Sequence, residues 1–184
     1  PALDYMLENA DGAGSSLAEF SRLATGENLE VGRFGLLTDY PASETGLSRE
    51  QIAARKLQAR LTLYRAEAVD NWRTELIGGL TTLTMVKLYE ISSRYVDEFS
   101  AQDVIQYRVL RLRDGVYTQA LYTEGGAEIM PEFAPLANGR TLDHIPFRFV
   151  GAETNSPEVD DAALSGIVDL NTAHFQLTAD HMQN

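Results

Sequence analysis

The sequence predicts an α+β fold: an antiparallel β-meander packed with several helices and ending in a long C-terminal helix. Three features point there. Capping-box spacings precede apolar residues at helical intervals near the N-terminus. The middle of the chain carries long runs of β-branched residues. Between two of those runs, Asp114-Gly115 is a two-residue hairpin signal. We expect one α+β domain over 1–184, with a helix-strand-helix part over 1–60, a β-rich part over 61–150 and the start of a long helix over 162–184.

The elements follow in chain order. Ser16 and Glu19 have the capping-box spacing, and Leu17, Phe20, Leu23, Ala24, Leu29 and Val31 follow at roughly helical intervals until Gly32. Phe34 to Tyr40 is a short apolar run closed by Pro41, which predicts a strand. Ser48 and Gln51 repeat the capping-box spacing and open a short helix to about Ala59. Leu61–Ala66 reads as a strand, and Glu67–Ile77 as a helix with Val69, Trp72 and Leu76 on neighbouring faces, broken by Gly78-Gly79. Leu80–Ser92, Val104–Arg113 and Val116–Thr123 then form a three-stranded meander. The apolar phase slips by one residue between Val109 and Leu110, which predicts a β-bulge there. Glu124–Asp143 reads as a long polar connection, Ile145–Val150 as an edge strand or a strand start because of Pro146, and Asn155–Asp161 as an acidic loop. From Ala162 the spacing is helical, through Leu164, Ile167, Val168, Phe175 and Leu177. No stop signal precedes Asn184, so we expect a fragment of a longer chain.

Composition narrows the function. At 184 residues the chain is long enough to hide roughly 70% of its extended surface, so it needs no staples. Hydrophobic residues make up 44% and charged residues 23%, which argues against wholesale disorder. Fifteen Lys and Arg face 27 Asp and Glu, a net charge of -12, so no whole-surface grip on nucleic acid or anionic lipid is expected. With no Cys, disulfides, thiol catalysis and Cys-zinc sites all drop out.

Chemistry-bearing motifs are sparse, and we expect no catalytic, cofactor-binding or metal-binding residues. Neither a nucleophile elbow nor a phosphate-cradling glycine loop occurs. Gly32-Arg33-Phe34-Gly35 reads as a helix stop before a strand. A nucleophilic triad would need His144, His174 or His181. With Asp169 or Asp180, His174 and His181 would make a loose metal constellation. Seven residues of helix separate the two by about 10 Å, however, which favours a polar or interface face. Asp11–Ser15 has the look of a calcium loop, but Arg22 stands where the bidentate Glu would be. Glu153, Glu158, Asp160 and Asp161 read as a solvated acidic loop rather than an acid-base pair. Trp72 and the tyrosines Tyr64, Tyr89, Tyr95, Tyr107, Tyr117 and Tyr122 could stack bases, but cross-strand packing explains them more simply. Arg108, Arg111 and Arg113 read as a basic stripe on a solvated or subunit-facing edge.

Six segments in order resemble a portal-like family of tailed bacteriophages. They are Asp11–Phe20, Val31–Pro41, Tyr64–Trp72, Tyr107–Leu112, Leu142–Phe147 and Leu170–Phe175, the last running on to Ala179-Asp180. The resemblance implies a non-enzymatic structural subunit with a fold like a portal's wing or core. Such a subunit forms a homo-oligomeric ring, usually of twelve copies, at one capsid vertex, and passes double-stranded DNA without sequence-specific binding. The implied partners are other copies of the chain, the packaging motor (terminase), capsid proteins and the head-tail connector, with no membrane involved. The implied location is the virion, after assembly in the cytoplasm of the bacterial host. Two other classes compete with it. One is a small phage adaptor or binding module, and the other a metal-dependent hydrolase built on His174 or His181.

Overall fold

The computed structural model describes residues 3–41, 49–55, 57–137 and 139–183. In chain order the elements are α1 (Tyr5–Glu8), α2 (Leu17–Val31), β1 (Arg33–Asp39), α3 (Arg49–Ala54) and β2 (Arg60–Arg65). A 3-10 turn at Ala66–Ala68 leads to β3 (Val69–Ile77), β4 (Leu80–Tyr95), β5 (Ala101–Arg113), β6 (Val116–Thr123) and β7 (Glu128–Phe133). The short β8 (Leu136–Ala137) and β9 (Arg140–Thr141), then β10 (Phe147–Gly151) and α4 (Ser165–Gln183), complete the chain. The class is α+β, with antiparallel meander strands, few helices and a C-terminal helix, as the patterning predicts. Contacts divide the chain into two compact units, Leu37–Phe147 and Pro1–Leu36 with Arg148–Asn184.

The first of these units is built on a five-stranded antiparallel sheet in the order β3-β4-β5-β6-β7. Asp114 (φ 50) and Gly115 (φ 74) form the two-residue loop between β5 and β6, so that Arg113 pairs with Val116. Positive φ at both central residues matches the right-handed twist of the strands that they join. One face of the meander is sealed by Val86, Leu88, Leu110 and Tyr117, each at most 1% exposed. Leu37, Tyr64 and Phe147 add to this core, the rings of Tyr64 and Phe147 lying 6.4 Å apart.

Three expectations are overturned in this unit. Residues Glu67–Ile77 are not a helix: after the 3-10 turn they form β3, paired with β4 from Val69↔Leu88 to Ile77↔Leu80. Gly78 (φ 58) and Gly79 (φ 84) are the hairpin loop rather than a helix break. As an edge strand β3 buries little beyond Val69, so it shows no period-two signal, and ladder hydrogen bonds with the long β4 override the accidental helical spacing of Val69, Trp72 and Leu76. The bulge expected between Val109 and Leu110 is absent. Both residues keep continuous register, with Lys87 and Val86 on one side and Ala120 and Gln119 on the other. The phase slip arises because adjacent residues on opposite faces are both covered, Val109 at 8% and Leu110 at 0% exposure. Register shifts occur instead at Val69/Asn71 and Arg73/Thr74 in the β3–β4 pairing, and around Leu121 in the β6–β7 pairing. Finally, Glu124–Asp143 is not simply a connection. It holds β7, which closes the meander, and the small β8–β9 pair.

In the other unit, α2 begins with the expected capping box. The Glu19 N–H donates to Ser16 Oγ at 3.2 Å, and the Ser16 N–H donates to the Glu19 carboxylate at 2.8 Å. Gly32 ends the helix in the left-handed conformation at φ 81. The apolar spacing of α2 is only partly used: Phe20 is buried, whereas Leu23 is 54% exposed. β1 and β10 follow the strand expectations closely and pair with each other. The second capping box cannot be placed, since Ser48 lies outside the described residues. The helix that it was expected to open lies in the β-rich unit and ends at Ala54 rather than Ala59. No helix among the described residues is long and apolar enough to cross a membrane.

Candidate functional site

The densest cluster of ionisable side chains lies within the β-rich unit, on the core side of the meander. It gathers Asp39 at the end of β1, Arg60 and Tyr64 from β2, Glu90 from β4, Gln106 and Arg108 from β5, and Tyr117 and Gln119 from β6. Arg108 Nε donates to Glu90 Oε1 at 2.6 Å, and its Nη1 donates to Gln119 Oε1 at 3.1 Å. The same Nη1 lies 3.9 Å from Asp39 Oδ2, which also accepts Arg60 Nη2 at 2.6 Å. Tyr64 OH (2.6 Å) and Gln106 Nε2 (2.8 Å) complete the donors around Glu90. Asp39 has a side chain 4% exposed, and those of Glu90 and Arg108 are each 15% exposed.

Burial pushes the Glu90 carboxyl up, but the hydrogen bond and charge of Arg108, with donors from Tyr64 and Gln106, outweigh it and hold the group below its ordinary range. Burial also acts against the Arg108 guanidinium, yet Glu90 and the other nearby acidic groups raise its pKa further. Burial lifts the Tyr64 and Tyr117 phenols above the usual tyrosine range, with Glu90 adding to the rise at Tyr64 and Asp39 at Tyr117. At neutral pH Glu90 is therefore an ionised carboxylate, Arg108 a guanidinium and the two phenols neutral, with both oxygens of Glu90 occupied. That leaves Glu90 no lone pair directed at an outside substrate. The arrangement binds five strands together.

Arg108 accordingly departs from the expected basic stripe, because it faces the core side with 15% of its side chain exposed. Arg111 and Arg113 lie on the other face and reach Glu132 at 3.7 Å and 3.5 Å. Of the aromatic residues, Tyr64 and Tyr117 are core. Tyr89 and Tyr107 pack edge to face at 6.0 Å, with Lys87 Nζ 3.9 Å above the Tyr107 ring, so cross-strand packing accounts for them. Trp72 is half-buried on β3.

Each remaining candidate has a definite place. His174 and His181 are exposed on α4, as are Asp169 and Asp180. His144 sits 2.8 Å from its neighbour Asp143. Asp11 caps its own loop, accepting the N–H groups of Ala13 and Ser15. Asp160 accepts the N–H groups of Glu153 and Thr154, while Glu158 and Asp161 are exposed. Among the described residues no group of three or more His, Asp and Glu side chains could hold a metal ion.

The larger surprise is where apolar side chains remain in contact with water. On α4, Ile167 (62% exposed), Leu170 (71%), Phe175 (73%), Leu177 (69%) and Met182 (81%) are all open. Within the β-rich unit, Leu76 (75%) and Leu80 (74%) flank the β3–β4 loop, and Tyr95 (80%) and Phe99 (90%) crown the β4–β5 hairpin. These hairpins lie at opposite ends of β4, whose sixteen residues span roughly 50 Å. The β4–β5 tip is held in shape by Asp97, whose carboxylate accepts the N–H groups of Phe99 and Ser100 at 2.8 Å each. Helical spacing foreshadows the α4 residues, but nothing local in the sequence tells a core-facing stripe from an exposed one. No family model matches this chain, and no curated protein matches it.

Proposed function

We propose that this chain is a structural subunit of a bacteriophage portal ring, forming part of the passage for double-stranded DNA at the capsid vertex. The observation that carries the proposal is the set of uncovered apolar side chains on α4 and on the two hairpin tips of β4. Exposed apolar patches of this kind mark protein contacts. They occur on unlike elements, and a cyclic ring joins unlike surfaces of successive copies. The order of the six portal-like segments supports the same assignment, and so does the function of the buried polar cluster, which ties strands together.

The negative charge is compatible with a conduit, because a wall that bound phosphates tightly would hold the DNA back. In this reading the partners are neighbouring copies, the packaging motor and the head-tail connector, and the location is the virion. Negative-stain imaging of the native protein tests it. Closed rings with a central opening that admits duplex DNA are the expected result. Uniform monomers at high concentration would overturn it.

A further inference from the structure

Residues 152–164, between β10 and α4, are tied to the end of α2 and the start of β1. The Ala152 N–H donates to the Gly32 carbonyl at 3.0 Å, and the Leu164 N–H donates to the Leu29 carbonyl at 3.3 Å. Asn28 Nδ2 donates to the Gly151 carbonyl at 3.2 Å, and the Arg33 guanidinium donates to the Pro157 carbonyl. Within the segment, one Asp160 oxygen accepts the N–H groups of Glu153 (2.8 Å) and Thr154 (2.7 Å), and the other accepts the Thr154 hydroxyl at 3.1 Å. Charge-assisted bonds of this kind are about twice as strong as neutral ones.

Two glycines make the close approach available. A Cβ at Gly32, already at φ +81, would collide with the Asp160 carbonyl. At Gly151 a Cβ would collide with the Thr154 carbonyl and the Asp160 carboxylate. The helix that follows gains no comparable hold from its own apolar side chains, since Ile167, Val168 and Leu170 are all more than 60% exposed. The N-terminal end of α4 is therefore anchored by the hydrogen bonds of the segment that precedes it rather than by these side chains.

We infer that residues 152–164 form a clasp, closed by Asp160 and seated on Gly32, that fixes where α4 leaves the fold and in which direction. The clasp makes α4 a mounted lever whose apolar side chains are presented in a set orientation. This inference stands whether or not the ring assignment holds, because it concerns contacts within one copy.

Because the chain has no Cys, paired labels can be introduced cleanly through Arg22→Cys on α2 and Gln176→Cys on α4. Pulsed EPR on the full chain, diluted with unlabelled protein so that only distances within one copy are read, reports the mounting. A single narrow distance distribution is expected for the parent. Asp160→Ala should broaden it and speed amide exchange at Ala152 and Leu164 roughly tenfold, as loss of charge-assisted bonds opens a local unit. Gly32→Ala should do the same from the other side of the clasp, and Asp161→Ala should do neither. If exchange rises throughout Asp160→Ala, the test passes to Thr154→Val, which removes the hydroxyl that donates to Asp160 and accepts the Ser156 N–H: faster exchange confined to 152–164 supports the clasp, and unchanged exchange refutes it. A distribution already broad in the parent, or one left narrow by both clasp variants, overturns the inference.

Discussion

Arg108 is the cation on which the buried cluster turns, because it reaches both Glu90 and Asp39 from inside the sheet. Removing one partner of a buried pair strands the others without compensation, so Arg108→Met should cost about 3–5 kcal/mol in urea unfolding. Arg60 is half-exposed, but it makes two hydrogen bonds to the nearly buried Asp39, at 3.1 and 2.6 Å, so Arg60→Met should cost about 1–3 kcal/mol, less than Arg108→Met. Glu90 gives the cluster a pH dependence of definite sign. Burial alone would raise its pKa, but Arg108 and the surrounding donors bring it below the unfolded value. The stability it confers is therefore complete above an unfolded pKa of about 4.3 and is lost as pH falls through the lower folded value. Unfolding midpoints measured down that acid limb should fall for the parent and stay flatter for Glu90→Gln. Part of this site was legible in the sequence. Arg108 differs in strand parity from Arg111 and Arg113, and period two places it on the opposite face once the expected bulge, which would cancel that difference, is removed. Its partners were not legible, since Glu90 and Asp39 come from strands brought together only by the fold.

At the scale of elements, the hairpin loops decide the meander. Gly79 holds φ 84 with open space around it, so a side chain there is opposed by backbone strain rather than by a neighbour. Gly79→Val should destabilise the unit by about 1–2 kcal/mol in thermal or urea unfolding, whereas Gly78→Asn should be nearly neutral because Asn tolerates that conformation. Trp72 lies half-buried on an edge strand, so Trp72→Ala should cost less than the roughly 3–5 kcal/mol of emptying a full core site. The elements legible in the sequence are those with a local chemical signature: the Ser16–Glu19 cap, the Gly32 stop and the Asp114-Gly115 loop. β3 and β7 were hidden for a physical reason. Both are edge strands whose side chains meet water on most sides, so burial imposes no alternation on them. At Val109 and Leu110 the opposite held: cover on both faces produced a pattern that resembled a bulge.

For the whole molecule, the central question is what covers α4 and the hairpin tips of β4. A chain with a net charge of -12 repels its own copies at long range, so the proposed ring would draw its association from local apolar burial, at the side chains that stand open here. Burying a large apolar side chain contributes roughly 1.5–3 kcal/mol, so the exposed residues of α4 could together sustain a stable contact even after the cost of association. The apolar spacing of α4 was visible in the sequence, but its exposure was not, because periodicity reports an apolar face without saying what meets it. The most direct test is sedimentation velocity on the native protein and on its Val168→Glu/Phe175→Glu variant. The account predicts a large closed oligomer for the native protein and, for the variant, monomers that keep the native secondary structure by circular dichroism. An oligomer that survives both charges intact would contradict it.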